Sequence, residues 1–341
     1  MDGEKLVLFP ECELGAKQLI GIAKLAAASP VLESKRRIDY RELESKSYIS
    51  RCTSPRMPFR YMINPYRGCE FGCKYCYARY THEFMELRRP DDFETIIFAK
   101  SWNPAAFRAE LARVPKGEDI AIGTATDPYQ PAERRFGILR SMLEVIAGER
   151  GHSVWITTKS DLVARDADLL AKIAKRNSVQ VSLTITTADE ELARLTEPYA
   201  PRPSLRFGAV RKLAEAGVQC GVMCAPIMPL INDSEQSIDA VARLAAEAGG
   251  RWLHGHVLFL KPCSKQVFIP FLEQRFPHLV KRYRARFEAH AFLRGEYPDL
   301  IAQRVQTVKE RYGLTRRAAE YYPERFADEQ LQLFGAMADQ R

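Results

Sequence analysis

Two hydrophobic patterns alternate along the middle of the chain. Short runs rich in β-branched and aromatic residues predict strands at Tyr61–Asn64, Ile120–Gly123, Val154–Thr158, Val179–Thr184, Val218–Ala225 and Leu253–Leu260. Between the later runs, amphipathic patterns predict helices over Ala132–Gly148, Asp161–Lys175, Ser204–Ala216 and Ser234–Ala248. Asp161 and Ser204 are expected to cap their helices, because their side-chain oxygens can accept from free N–H groups of the first turn. Gly217 follows its helix at the position where a left-handed residue closes the last turn. This βα alternation predicts a parallel sheet with helices packed outside. Six strands are too few for a full eight-stranded barrel, so the expected fold is α/β, a partial (β/α)6 barrel.

The flanks read differently. Residues 1–60 are expected to be an N-terminal lead-in, with a short helix at Gly21–Ala28 and an extended stretch ending in Ser54-Pro55-Arg56-Met57-Pro58. A strand at Phe93–Lys100 and a helix at Asn103–Arg113 read as an insertion after the first βα unit. From about Pro262 the pattern is helical only, at Val267–Arg275, His278–His290 and Asp299–Gly313. The expected division is therefore a lead-in over 1–60, a core over 61–261 and a helical extension over 262–341.

Composition narrows the class. Hydrophobic residues make up 46% of the 341, ample for a core, so wholesale disorder is excluded. No run of 18 apolar residues exists, and no membrane partner is expected. The first residues carry acids without a long apolar stretch, so a secretory signal is not expected and a cytoplasmic setting is. In that setting the eight cysteines are expected to be thiols or metal ligands rather than disulfides. The net charge of +8 favours an anionic partner, nucleic acid among the candidates. Much of it lies in residues 275–317, with eleven Lys/Arg against four Asp/Glu. There Arg282, Arg284 and Arg286 alternate with Tyr283 and Phe287. Either these pair phosphate attraction with base stacking, or they form a solvated helix whose aromatics pack on the barrel.

The chemistry concentrates after the first predicted strand, in Asn64-Pro65-Tyr66-Arg67-Gly68-Cys69-Glu70-Phe71-Gly72-Cys73-Lys74-Tyr75-Cys76-Tyr77. Cys69, Cys73 and Cys76, spaced C-x3-C-x2-C, suit a tight loop around one metal centre. Structural zinc needs four closed ligands, and the nearest extra candidates are Cys52 and His82. Three cysteines on a [4Fe–4S] cluster instead leave one iron open.

This stretch resembles the motif of the radical S-adenosylmethionine (SAM) superfamily, and more narrowly the branch containing spore photoproduct lyase. Gly123-Thr124-Ala125-Thr126-Asp127, Thr157-Thr158-Lys159-Ser160, Val181-Ser182-Leu183 and Ala225-Pro226-Ile227 match in order at strand ends. The resemblance covers about residues 61–260. It implies that Cys69, Cys73 and Cys76 hold a [4Fe–4S] cluster whose open iron binds SAM. Reduction of that cluster, by a donor such as flavodoxin or ferredoxin, would then release a 5′-deoxyadenosyl radical. Lys159 would pair with the SAM carboxylate, Ser182 would hydrogen-bond SAM, and Ile227 falls in the segment that cradles adenine. Tyr75 is expected against the adenosyl group, and Tyr77 matches a tyrosine of the hydrogen-atom relay.

The polar loop after the second strand offers Thr126, Asp127, Tyr129 and Glu133 as contacts for SAM or substrate, with turn capping as the plain alternative for Asp127. Thr124 stands where the lyase places a hydrogen-donating cysteine, and a threonine O–H bond is too strong to replace a thiol in that role. Cys224 or Cys263 is the substitute that the sequence offers, and Cys220, Cys224 and Cys263 also raise the question of a second cluster. The activities in view are hydrogen abstraction from an unactivated C–H bond, lesion repair or modification of nucleic acid, and a non-catalytic zinc module.

Overall fold

The computed structural model describes residues 19–315 except 30, 36, 37 and 56. Its strands in chain order are β1 (Val31–Lys35), β2 (Ile38–Leu43), β3 (Ile49–Arg51), β4 (Tyr61–Ile63), β5 (Tyr66–Arg67), β6 (Ile96–Lys100), β7 (Asp119–Ile122), β8 (Ser153–Thr158), β9 (Ser178–Thr184), β10 (Gln219–Ile227) and β11 (Leu253–Val257). Six of them, β4 and β7 to β11, lie parallel and adjacent in chain order, with β3 antiparallel on the outer side of β4. Among the described residues the end strands β3 and β11 do not pair with each other.

Alternation along the strands separates two faces. Val154, Ile156, Val179, Val181, Leu183, Cys220 and Val222 are buried in the large core beneath the outer helices. Thr157, Thr184 and Met223 turn to the concave side and line a cleft. Trp252 fills the concave side below it. A Cβ at Gly221 would lie 2.5 Å from its indole, and the indole N–H donates to Ser182 Oγ at 3.2 Å.

The helices fall where the pattern places them, with corrections at their ends. The stretch 132–148 divides into Pro131–Phe136 and Ile138–Ala147 at Gly137, which is left-handed at φ 62°. Glu133 causes the second start, since its carboxylate accepts from the backbone N–H groups of Leu139 and Arg140 at 2.9 and 3.0 Å. Asp161 is not a cap. Ser160 accepts from the N–H of Leu162, a 3-10 turn follows at Asp161–Asp166, and the α-helix is Ala167–Ala174. Ser204 is not a cap either, because Pro203 starts that helix and the Ser204 hydroxyl donates to Glu190. Gly217 does take the left-handed position, at φ 76°.

The N-terminal segment is more than a lead-in. β1 and β2 pair with each other, β2 runs parallel to β6, and β5 closes a second sheet in the order β1-β2-β6-β5. The inserted strand begins only at Ile96, because Asp92–Thr95 is a helical turn. Beyond β11 come the helices Pro262–Arg275, Val280–Phe287 and Glu296–Arg311. The last covers β11, and the chain after it returns the Leu314 carbonyl to the Leu253 N–H at 3.2 Å. Tyr283 and Phe287 are buried and Tyr283 donates to the Pro229 carbonyl at 2.7 Å, so the second of these helices packs its aromatics inward. Residues 316–341, the end of the expected extension, lie outside the described residues, as does Cys12.

Candidate active site

The strands β7, β8 and β10 end at an open cleft of about 210 Å³. Its opposite wall is the cysteine loop, held in place at several points. Gly68 is left-handed at φ 80°, and a Cβ there would lie 2.8 Å from the Ile96 carbonyl, so only glycine lets the loop approach β6. The Cys69 N–H donates to the Phe93 carbonyl at 2.9 Å, and Lys74 N–H to the Thr196 carbonyl at 2.9 Å. Gln130, fully buried, grips the loop from the other side. Its Nε2 donates to the Gly68 carbonyl at 3.0 Å, and its Oε1 accepts from the Glu70 N–H at 3.0 Å. Thr126 Oγ1 donates to the same Gly68 carbonyl at 2.5 Å. Arg79 donates to the Cys73 carbonyl at 3.1 Å and pairs with Glu94.

Cys69, Cys73 and Cys76 all line the cleft, and all are free thiols. Burial pushes the Cys73 thiol up to about 12, against the pull of Lys159, and raises Cys69 and Cys76 as well. The backbone N–H groups of Phe71 and Ala78 act in the opposite direction on Cys69 and Cys76. Three soft sulfurs on one dry wall, beside Phe71 and Phe93, need cationic partners to ionise. Neither Cys52 nor His82 lines the cleft with the three thiols, so a closed four-ligand zinc site lacks its fourth donor there, whereas three sulfurs suffice for a group that spreads them over several irons.

Lys159 faces this wall from the end of β8, with its ammonium 5.5 Å from the Tyr75 ring centre. Burial would strip its proton, but Cys73 and Glu197 outweigh that, and the net shift is upward. Asp127 lines the cleft yet is fully engaged. It accepts from Thr158 Oγ1 and Lys159 N–H, both at 2.6 Å, and from Tyr129 N–H at 3.0 Å, so it ties β7 to β8 and sets the start of the Lys159 side chain. The Tyr75 hydroxyl donates to Glu197, which also accepts from Thr186 at 3.1 Å and pairs with Arg206 at 2.5 Å. Both ends of this pair are buried, and burial of Glu197 is outweighed by Arg206 and Lys159, which hold it below the usual carboxylate range. Tyr77 donates to the Thr124 carbonyl at 2.6 Å at the mouth of the cleft.

Five expected site residues are elsewhere. Tyr129 is fully buried in the large core and does not line the cleft. Glu133 is buried among Tyr66, Arg165 and the helix start it caps. Cys224 lies on the helix-covered face of β10 with its thiol toward the Thr186 carbonyl, and Cys220 faces the Val210 carbonyl on that same side. Ser182 is on the concave face but accepts the Trp252 indole below the cleft. Ile227 packs into the large core, while Ala225 and Pro226 line the cleft. Cys263 sits beside Ser264, whose hydroxyl donates to the Cys76 carbonyl at 3.0 Å. Cys220, Cys224 and Cys263 thus do not converge. Gln130, Glu197, Arg206 and His256 were missed. Gln130 lay within the polar loop already singled out, whereas Glu197 and Arg206 carry no local signal, since only the fold brings them under Tyr75.

Replacing Gln130 with alanine is expected to remove its contacts with the Glu70 N–H and the Gly68 carbonyl and loosen the loop. Reconstituted protein should lose bound iron measurably faster to a chelator, with a thermal midpoint lowered by a loss of about 1–3 kcal/mol.

The radical SAM superfamily profile matches residues 63–245. The chain belongs to this superfamily, whose members use a [4Fe–4S] cluster and SAM, and it is an enzyme of radical chemistry. A zinc module is thereby set aside. An uncharacterised protein of Mycobacterium tuberculosis is 33% identical over 279 residues, 81% of this chain and 82% of that one. An uncharacterised protein of Methanocaldococcus jannaschii is 30% identical over 218 residues, 64% and 77% of the two chains. Among solved structures, spore photoproduct lyase complexed with dinucleoside spore photoproduct has the same fold, with a TM-score of 0.60 at 18% identity over 80% of this chain and 79% of that one. A double mutant of that lyase with bound AdoMet and dinucleoside spore photoproduct gives 0.59 at 18% identity, over 80% and 78%.

Proposed function

We propose that Cys69, Cys73 and Cys76 hold the cluster and that the cleft they line binds SAM and a substrate with an unactivated C–H bond. The observation that carries this reading is the convergence of the three thiols, Lys159, Tyr75 and Tyr77 on one cleft. When bound, the cluster and SAM supply a 5′-deoxyadenosyl radical by reductive cleavage of the sulfonium. The chain's own residues position and shield. Lys159, kept charged by its neighbours, offers an ammonium to the SAM carboxylate. Asp127 fixes the backbone from which Lys159 projects. Glu197 holds the Tyr75 hydroxyl so that its ring stays under Lys159, and Phe71 and Phe93 keep water from the sulfurs. Tyr77 holds its phenolic hydrogen at the Thr124 carbonyl, at the edge where substrate enters. The electron comes from a low-potential donor of the flavodoxin or ferredoxin kind. Among the described residues no helix is long and apolar enough to cross a membrane.

Lys159→Met is expected to raise the SAM concentration for half-maximal 5′-deoxyadenosine formation about tenfold or more, for loss of one charge-assisted contact. Most of the iron should be retained, because all three sulfur donors remain and Lys159 acts on them only as a neighbouring charge. An unaltered SAM dependence would remove Lys159 from the SAM site.

A second reading, modification or repair of nucleic acid, is favoured by an aromatic lip on the cleft. Tyr77 lies 5.3 Å from Phe259, and Phe259 stacks on Phe292 at 5.1 Å, with Phe292 53% exposed. Exposed rings in a row suit stacking on bases. Salt-sensitive binding of single-stranded oligonucleotides that weakens in Phe292→Ala supports it, and no binding at low salt rejects it.

A further inference from the structure

Beside the cleft, across the contact of Asn64 Nδ2 with Thr124 Oγ1 at 3.0 Å, lies a separate small cavity of about 40 Å³. Its lining includes Ser50, Asn64, Thr81, Arg67 and Lys100. β5 and β6 place the two cations on one face. Arg67 pairs with Phe98, and the Lys100 N–H donates to the Pro65 carbonyl, so Lys100 is two residues on from Arg67's partner. Lys100 is only 6% exposed, and its Nζ donates to the Ser47 carbonyl at 3.1 Å. Arg67 Nε is buried with no partner.

No carboxylate among the described residues forms an ion pair with either. The acid whose charge acts on Lys100 is Glu110, whose oxygens accept from Ser47 Oγ and from the N–H groups of Tyr48 and Ile49. Burial, with Arg67 beside it, pulls Lys100 down to about 8. A buried and a half-buried like charge with no directly paired carboxylate are costly, and the cavity between them is lined by hydroxyl and amide groups rather than by acids.

We propose that Arg67 and Lys100 form a phosphate-binding subsite that anchors the substrate while its reacting part occupies the cleft. Two positive charges with the Ser50 hydroxyl match a phosphoryl group better than a single carboxylate, while the Thr81 hydroxyl is spent on the Ala78 carbonyl. The subsite takes its role from the cleft being the reaction centre, but phosphate binding itself needs neither SAM nor reductant, so its failure and the failure of the catalytic reading are separable.

The test uses cluster-loaded protein under anaerobic conditions and follows the thermal midpoint against inorganic phosphate, with chloride at matched ionic strength as reference. The wild-type midpoint is expected to rise saturably with phosphate. Lys100→Met should abolish that rise while starting no lower than wild type, because it removes an uncompensated buried charge. Arg67→Gln, at a half-buried position, should weaken phosphate binding about tenfold or more and serves if Lys100→Met does not fold. Adenosine 5′-phosphate and a dinucleotide then show whether a monoester or a diester is preferred, and saturable binding of either supports the subsite. A wild-type midpoint that moves no more in phosphate than in chloride overturns the proposal, as does an equal rise in both variants.

Discussion

Cys73→Ser is expected to leave a folded protein that no longer retains its iron and forms no 5′-deoxyadenosine above background. Wild-type protein reconstituted anaerobically should hold about four iron per chain, and the variant well under half of that. The fold should survive because Cys73 is one small side chain on the cleft wall, and the loop's attachments run through backbone groups and Arg79 rather than through its sulfur. Iron analysis and near-ultraviolet absorbance check the first part, and product chromatography the second. Cys224→Ala is the matched control. Its thiol faces the Thr186 carbonyl under the helices, so iron and product should be unchanged, with a modest loss of stability. Turnover that depended on Cys224 would mean that the thiol reaches the cleft, against the placement found for it.

Arg206→Met should be the most damaging change outside the cysteine loop. It leaves Glu197 fully buried without its counter-charge, a situation that costs about 3–5 kcal/mol. Denaturant unfolding should show that loss. The damage should also reach the site, because Glu197 is the acceptor for Tyr75 and one of the two groups that keep Lys159 charged. Glu197→Gln combined with Arg206→Met removes both charges together and is expected to recover much of the stability, while the contact of Tyr75 with a carboxylate stays lost. Stability restored without restored SAM affinity would separate the structural part of this pair from its positioning part.

The parallel core was legible because its signals are local. Runs such as Val179–Thr184 and the amphipathic stretches between them need no distant partner to be recognised, and the C-x3-C-x2-C spacing sits within one loop. The second sheet was hidden because Ile38–Leu43 carries charge at three of its six positions, Asp39, Arg41 and Glu42, and its buried Tyr40 and Leu43 are three residues apart rather than at strand alternation. Strand parity accounts for Cys224, which sits on the covered face one step from Met223, and the irregularity in β10 between Cys224 and Ile227 puts Ile227 on that same face although its parity is opposite. Ser182 has the right parity but the wrong depth, two residues below Thr184. Glu133 looked like a ligand and is a helix cap, a role fixed by the left-handed Gly137 four residues later. The network of Glu197 and Arg206 joins two helical segments to Tyr75, 122 residues before Glu197, and no spacing in the sequence announces it.

The central claim is that the three thiols hold a cluster with an iron open to SAM in this cleft. Electron paramagnetic resonance of the dithionite-reduced, reconstituted protein, recorded before and after adding SAM, tests it most directly. The expected result is a reduced-cluster signal that changes shape on SAM addition, followed by 5′-deoxyadenosine in the same sample. A protein that binds zinc in place of iron, or a cluster signal unmoved by SAM with no 5′-deoxyadenosine formed, would contradict it.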